Sequence, residues 1–144
     1  MPEALTVRVV ATEYLNESER AAIVAVCIAA HENEEFGRMF THFIRSGGRH
    51  FLAYRGDELV SHAVVTTRWL QPEGQPEMKT AFVDAVSTLP AAQGQGFSSA
   101  TMRRLGAEVR FAGRDFDECR AEAERDAAQR GAFYVVPAND WRLI

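Results

Sequence analysis

FVDAVSTLPAAQGQGFSSATMRRLGAEV, the stretch from Phe82 to Val109, changes character three times. It opens as an apolar run suited to a buried strand and turns at Leu89-Pro90. It then crosses a glycine-bearing loop at Gln93-Gly94-Gln95-Gly96 and continues as a helix. A loop poor in bulky side chains that opens a helix lets backbone N–H groups face an anion, and the dipole of the helix adds to the attraction. Gly94 and Gly96 lack the Cβ atoms that would keep a phosphate at a distance, while Ser98 and Ser99 in the first turn can cap amides or donate hydroxyls. The dipole is worth about 0.3–1 kcal/mol when exposed, enough to orient a nucleotide but not to bind it tightly.

Two glycines alone also describe an ordinary strand-to-helix turn. The loop is not the dinucleotide fingerprint G-x-G-x-x-G, because Ser99 stands where the third glycine would fall, and no Gly-Lys-Ser/Thr follows to make a P-loop.

Upstream, Leu5 to Val10 is β-branched and reads as a first strand. Asn16 followed by Glu19 forms a capping-box pattern, and Ile23, Val24, Cys27 and Ile28 then recur at helical spacing. After the polar junction His31 to Glu35, the residues Phe36, Met39, Phe40, Phe43 and Ile44 predict a second helix ending at Gly47-Gly48. His50 to Tyr54 and Glu58 to Trp69 predict a hairpin around Arg55-Gly56-Asp57, and Met78 to Thr88 a further strand. Downstream, Phe116 to Gly131 predicts a helix with Arg120–Glu124 and Asp126–Arg130 pairs, and Ala132 to Val136 a short closing strand. The order is strand, two helices, a three-stranded antiparallel meander, then the loop and a third helix.

The chain has 144 residues, 47% hydrophobic and 25% charged, which suits one domain over residues 1–144. A net charge of −4 argues against nucleic acid as the main partner, since phosphate backbones demand a basic face. The longest apolar run, Ala21 to Ala30, is too short to span a membrane, and the N-terminus does not read as a signal peptide, so a cytoplasmic location is expected. Cys27 and Cys119 lack CxxC spacing, and His31, His42, His50 and His62 show no metal-binding pattern; no metal is expected.

With these elements in place, Gln93-Gly94-Gln95-Gly96-Phe97-Ser98 resembles the acetyl-CoA-binding motif of the GNAT superfamily of N-acetyltransferases, Gln/Arg-x-x-Gly-x-Gly/Ala, with Ser98 in place of the last small residue. The preceding FVDAV looks most like the aminoglycoside 2′-N-acetyltransferase branch, which has Tyr-Val-Glu-Ala-Val there. The resemblance runs from about His50 to Val109, extends more loosely over the N-terminal helices and fades past Phe111. It implies the GNAT fold, an α/β (α+β) arrangement in which a central mixed, mostly antiparallel sheet is flanked by helices.

By the same resemblance, Val86 and Thr88 would lie along the pantetheine arm of acetyl-CoA, and Gln93, Gly94, Gln95, Gly96, Ser98 and Ser99 would surround the pyrophosphate. An amide near Val86 would serve an oxyanion. Asp84 stands where the branch has Glu and would be the base; an aspartate is ionised at neutral pH. Glu32, Glu34 and Glu35 are a solvated junction on their own chemistry, but the family's acceptor pocket lies near there, which makes them candidates for holding a polyamine. The family ends in Tyr-x-x-x-Gly-Phe, whereas Ala127 precedes Gly131 here; Tyr134 would have to replace that tyrosine as general acid, against its reading as a core aromatic. Only residues 110–113 are left for the strand that follows the third helix. The implied activity is acetyl transfer from acetyl-CoA to a primary amine of a small molecule, such as an aminoglycoside-like polyamine, which would make the chain an antibiotic-resistance enzyme. A homologue that binds acyl-CoA without turnover is the alternative, and a homodimer that completes the sheet is expected.

Overall fold

In the computed structural model, residues 4–38, 47–106 and 114–132 are described. Two compact units divide the chain, Met1–Val109 and Arg110–Ile144. The first contains β1 (Leu5–Ala11), α1 (Glu17–His31), β2 (Arg49–Arg55), β3 (Glu58–Leu70), β4 (Met78–Thr88) and α2 (Phe97–Arg104), with short 3-10 turns at Thr12–Tyr14 and Pro90–Ala92. The strands form one antiparallel sheet in the order β1-β2-β3-β4. The fold is the mixed α/β arrangement expected.

Helix α1 starts where its chemistry dictates. Asn16 Oδ1 accepts from the Glu19 amide at 2.8 Å and Glu19 Oε2 accepts from the Asn16 amide at 3.1 Å, satisfying two amides that have no partner inside the helix. The second Glu19 oxygen takes the Arg8 guanidinium, which ties the helix start to β1. The buried stripe of α1 is Ile23, Val26 and Cys27; Val24 and Ile28, expected within it, are only half-buried.

Side-chain alternation along the strands feeds two cores. Leu52 and Val64 pack with Val10, Leu59 and the α1 stripe, while Ala53 and Val60 pack with Ala92 and Phe97 at the start of α2. Ile23 and Leu52 are fully buried, each worth about 1.5–3 kcal/mol by area removed from water. The helices α1 and α2 therefore cover opposite faces of the sheet.

The region expected to hold a second helix contributes helical residues 36–38, and its remainder lies outside the described residues. The second unit contains α3 (Phe116–Arg130), capped by Asp115 accepting from the Glu118 amide at 2.9 Å and ended by Gly131 at φ 65°. Both expected pairs on it form, Arg120 with Glu124 at 3.8 Å and Arg130 with Asp126 at 3.0 Å. The closing strand expected at 132–136 lies outside the described residues beyond Ala132.

Candidate functional site

The sheet register breaks once along β4. His62 pairs with Ser87 and Val64 with Asp84, so Ala85 and Val86 together face the single residue Ala63. That is a β-bulge, and Ala85 adopts φ 47°, a left-handed conformation that costs a non-glycine residue on the order of 1–3 kcal/mol. Such a residue persists only where its surroundings hold it. Here side chains hold both of its backbone groups: Asp84 Oδ1 accepts from the Ala85 N–H at 2.7 Å, and the Ala85 carbonyl accepts from His62 Nδ1 at 2.9 Å, with the Ser87 hydroxyl at 3.3 Å. Val86 is 38% exposed.

Behind the bulge runs a buried polar chain. His62 Nε2 meets His50 Nδ1 at 2.9 Å, and His50 Nε2 meets the Thr12 hydroxyl at 3.0 Å. Both imidazoles have no solvent exposure. Burial, joined by repulsion from His62 once that ring is protonated and from Arg20, lowers the His50 pKa to about 3. Burial lowers that of His62 to about 4, although its bond to Ala85 and the charge of Asp84 work the other way. Both rings are therefore neutral at pH 7. Their partners come from the fold. Gly48 brings the chain so close to Thr12 that an added Cβ would lie 2.8 Å from its Oγ1, and the β2–β3 register sets His50 opposite Val64 and His62 opposite Leu52.

On the same face, His31 Nε2 lies 2.9 Å from the Ser87 hydroxyl and its ring stacks on Phe36 at 4.6 Å, which seats the end of α1 against β4. Cys27 is buried at 3.5 Å from Ser87, and burial pushes its thiol pKa up. It is a core residue, not a nucleophile.

Past β4 the loop opens as the sequence reading expects. Gly94 and Gly96 have φ 73° and 88°, and a Cβ built on either meets nothing within 4 Å. Helix α2 begins at Phe97, and its first turn carries no side-chain cap. Ser98 and Ser99 thus do not cap it; the N-cap is Gly96, which has no side chain to offer. The glutamines turn back onto their own loop, Gln93 Nε2 donating to the Thr88 carbonyl at 3.3 Å and Gln95 Nε2 to that of Ala91 at 2.9 Å. Thr88 is held through its hydroxyl, 2.8 Å from that of Ser61. A bulged strand with a carboxylate at its break is thus followed by a glycine loop and an uncapped helix start. Residues 12–134 match the model of the acetyltransferase (GNAT) family. The chain belongs to the GNAT acetyltransferase family.

Solved structures agree with this fold. An acyl-CoA N-acyltransferase from Pseudomonas aeruginosa is similar at 18% identity and a TM-score of 0.55, over 71% of this chain and 68% of that one. An aminoglycoside 6′-N-acetyltransferase from Acinetobacter baumannii is similar at 14% identity and a TM-score of 0.54, over 97% of this chain and 84% of that one. A conserved protein of Enterococcus faecalis matches at 20% identity and a TM-score of 0.54, and this chain spans 25% of its length. Identities this low carry the fold alone. Among curated protein sequences, none matches this chain.

Of the other expected site residues in this GNAT chain, Glu32, Glu34 and Glu35 are exposed just beyond the His31 contact with β4, and Glu32 ends α1 at φ 51°. Tyr134 lies outside the described residues. No group of metal-binding side chains occurs among the described residues. The histidine chain escaped the sequence reading, which tested histidines only for metal spacing. The available signal was strand alternation, which puts His50 on the same face as Leu52 and His62 on the same face as Val64.

Proposed function

We propose that this GNAT chain is an acetyl-CoA-dependent N-acetyltransferase that acts on a primary amine of a small polycationic molecule, with an aminoglycoside-like polyamine as the preferred acceptor. The observation that carries the reading is the bulge: it takes Ala85 and Val86 out of register with β3 and sets the Asp84 carboxylate beside them, ten residues before an uncapped glycine loop. In this reading Gly94, Gly96 and the first amides of α2, with Gln93, Gln95, Ser98 and Ser99 around them, cradle the pyrophosphate. Val86 and Thr88 line the pantetheine arm.

A thioester is already an activated acyl donor, so the remaining work is to present an uncharged amine and stabilise charge on the carbonyl oxygen. Asp84 Oδ1 is engaged by the Ala85 amide, which leaves Oδ2 to take the ammonium proton, directly or through water. The amine attacks the carbonyl carbon, the Val86 N–H receives the oxyanion, and collapse expels the CoA thiolate while the nitrogen gives up its second proton to water. Tyr134 is the candidate to protonate that thiolate. Glu32, Glu34 and Glu35, exposed beside the α1–β4 contact, suit the remaining charges of a polyamine.

Thiol release from acetyl-CoA, followed over a panel of aminoglycosides and simple polyamines, tests this. Amine-dependent release is expected; coenzyme binding without release from any amine would favour the alternative, a module that holds acyl-CoA without turnover. The cradle has its own test. At φ 88° a branched side chain is strained, so Gly96→Val is expected to weaken CoA binding at least tenfold by calorimetry. Gly74→Val, at φ 71° and also facing open space, carries similar strain away from the loop and is expected to leave the affinity unchanged. Equal affinity in the Gly96 variant would remove the pyrophosphate assignment.

A further inference from the structure

We propose that His62 is a positioning residue for the transfer step: its Nδ1–H holds the Ala85 carbonyl and so aims the Val86 N–H away from the histidine chain. This rests on the reading of the Val86 amide as the oxyanion donor, but the geometry stands apart from it.

A carbonyl oxygen can only accept, so the 2.9 Å contact requires the proton of His62 on Nδ1. In the neutral ring, Nε2 is then an acceptor, and the His50 Nδ1 that faces it must donate. His50 Nε2 is left as the acceptor for the Thr12 hydroxyl, whose single proton goes to the ring at 3.0 Å and not to the Gly48 carbonyl at 3.2 Å, which already accepts from the Thr12 amide. Each choice follows from the one before, and the chain of donors runs in one direction from Thr12 through His50 and His62 to the Ala85 carbonyl. Burial of both rings keeps water from offering His62 another partner or another tautomer.

The peptide joining Ala85 to Val86 is planar and trans, so its C=O and N–H point in opposite directions. Fixing the carbonyl fixes the amide. With the carbonyl drawn towards His62, the Val86 N–H is turned the opposite way, at a residue that has no register partner in β3 and is partly exposed. A donor held in that way does not have to reorient as charge develops on the substrate oxygen, which is the condition for strong oxyanion stabilisation.

The test compares wild type, His62→Phe and His62→Asn. Phe fills the ring volume and offers no donor. Asn places an amide N–H the same number of bonds from Cα as Nδ1. In His62→Phe, kcat is expected to fall about 10²-fold, in the range for loss of one oxyanion donor, with KM for acetyl-CoA changed less than threefold. His62→Asn is expected to recover kcat to within about tenfold of wild type. The second readout needs no turnover: in ¹⁵N-labelled, coenzyme-free protein the His62 ring is expected to be protonated on Nδ1 alone, and the Val86 amide resonance is expected to shift in His62→Phe and return in His62→Asn. An Nδ1 without its proton, or a Val86 amide unmoved by His62→Phe, overturns the proposal whatever the reaction is. A shifted amide with unchanged kcat overturns its catalytic half. If the wild type transfers no acetyl group, the functional reading falls and the resonances alone decide whether His62 sets the peptide. Should His62→Phe fail to fold, His62→Gln replaces it, since its amide lies one bond farther out and misses the carbonyl.

Discussion

Asp84→Asn is expected to lower turnover about 10²–10⁴-fold, the usual contribution of a general base, while coenzyme affinity and folding stay close to wild type. The choice of Asn follows from the bulge. Asp84 has two tasks, because Oδ1 accepts from the Ala85 N–H at 2.7 Å while Oδ2 is the proposed proton acceptor. Asn keeps an oxygen for the amide and loses the base. Asp84→Ala removes both and leaves the Ala85 amide without its partner, which adds a stability cost of about 1–3 kcal/mol. Steady-state kinetics, coenzyme calorimetry and thermal unfolding of the two variants separate the roles: Asn lowers kcat alone, Ala lowers kcat and Tm. A wild-type kcat in Asp84→Asn would make Asp84 purely a bulge residue, with solvent as the base.

Acid is expected to destabilise the protein before most carboxylates titrate. His50 and His62 have native pKa values of about 3 and about 4, against an ordinary value of 6.5. The unfolded chain therefore binds their protons at a higher pH than the native one does. Their contribution to stability is present above pH 6.5 and is lost as pH falls towards 4. Between pH 6.5 and 4.5 the loss for the pair is about 4 kcal/mol. Denaturant unfolding at half-unit pH steps reads it directly. In His62→Asn the slope over that window is expected to fall by roughly half, since one of the two titrating groups is gone. A wild-type stability that is flat from pH 6.5 to 4.5 would show that the two rings take up protons without cost.

Much of this GNAT chain is legible in its residues taken in order. The Asn16–Glu19 box, the hairpin around Gly56 and the extent of β4 from Met78 to Thr88 are local matters, decided by caps, alternation and turn residues within a few positions. The glycine loop before α2 is legible for the same reason: Gly94 and Gly96 are the residues that accept φ of 73° and 88°. What the residues left open at α2 was its cap, because Ser98 and Ser99 are able caps whose use depends on where the helix starts, and it starts after Gly96.

The bulge is different. Nothing in FVDAVST marks Ala85 for a left-handed conformation, since alanine avoids it and the valines on either side of Asp84 and Ala85 suit a regular strand. The break exists because groups far away in sequence converge on one peptide: His62 from the neighbouring strand, backed by His50 and then Thr12, against its carbonyl. Among the described residues, the sequence by itself determined the elements, their order and the open loop, because those depend on interactions within a few residues. Only the tertiary structure decided that β4 breaks at Ala85 and which side chains hold it there, because a strained backbone is chosen by the partners around it and not by its own preference.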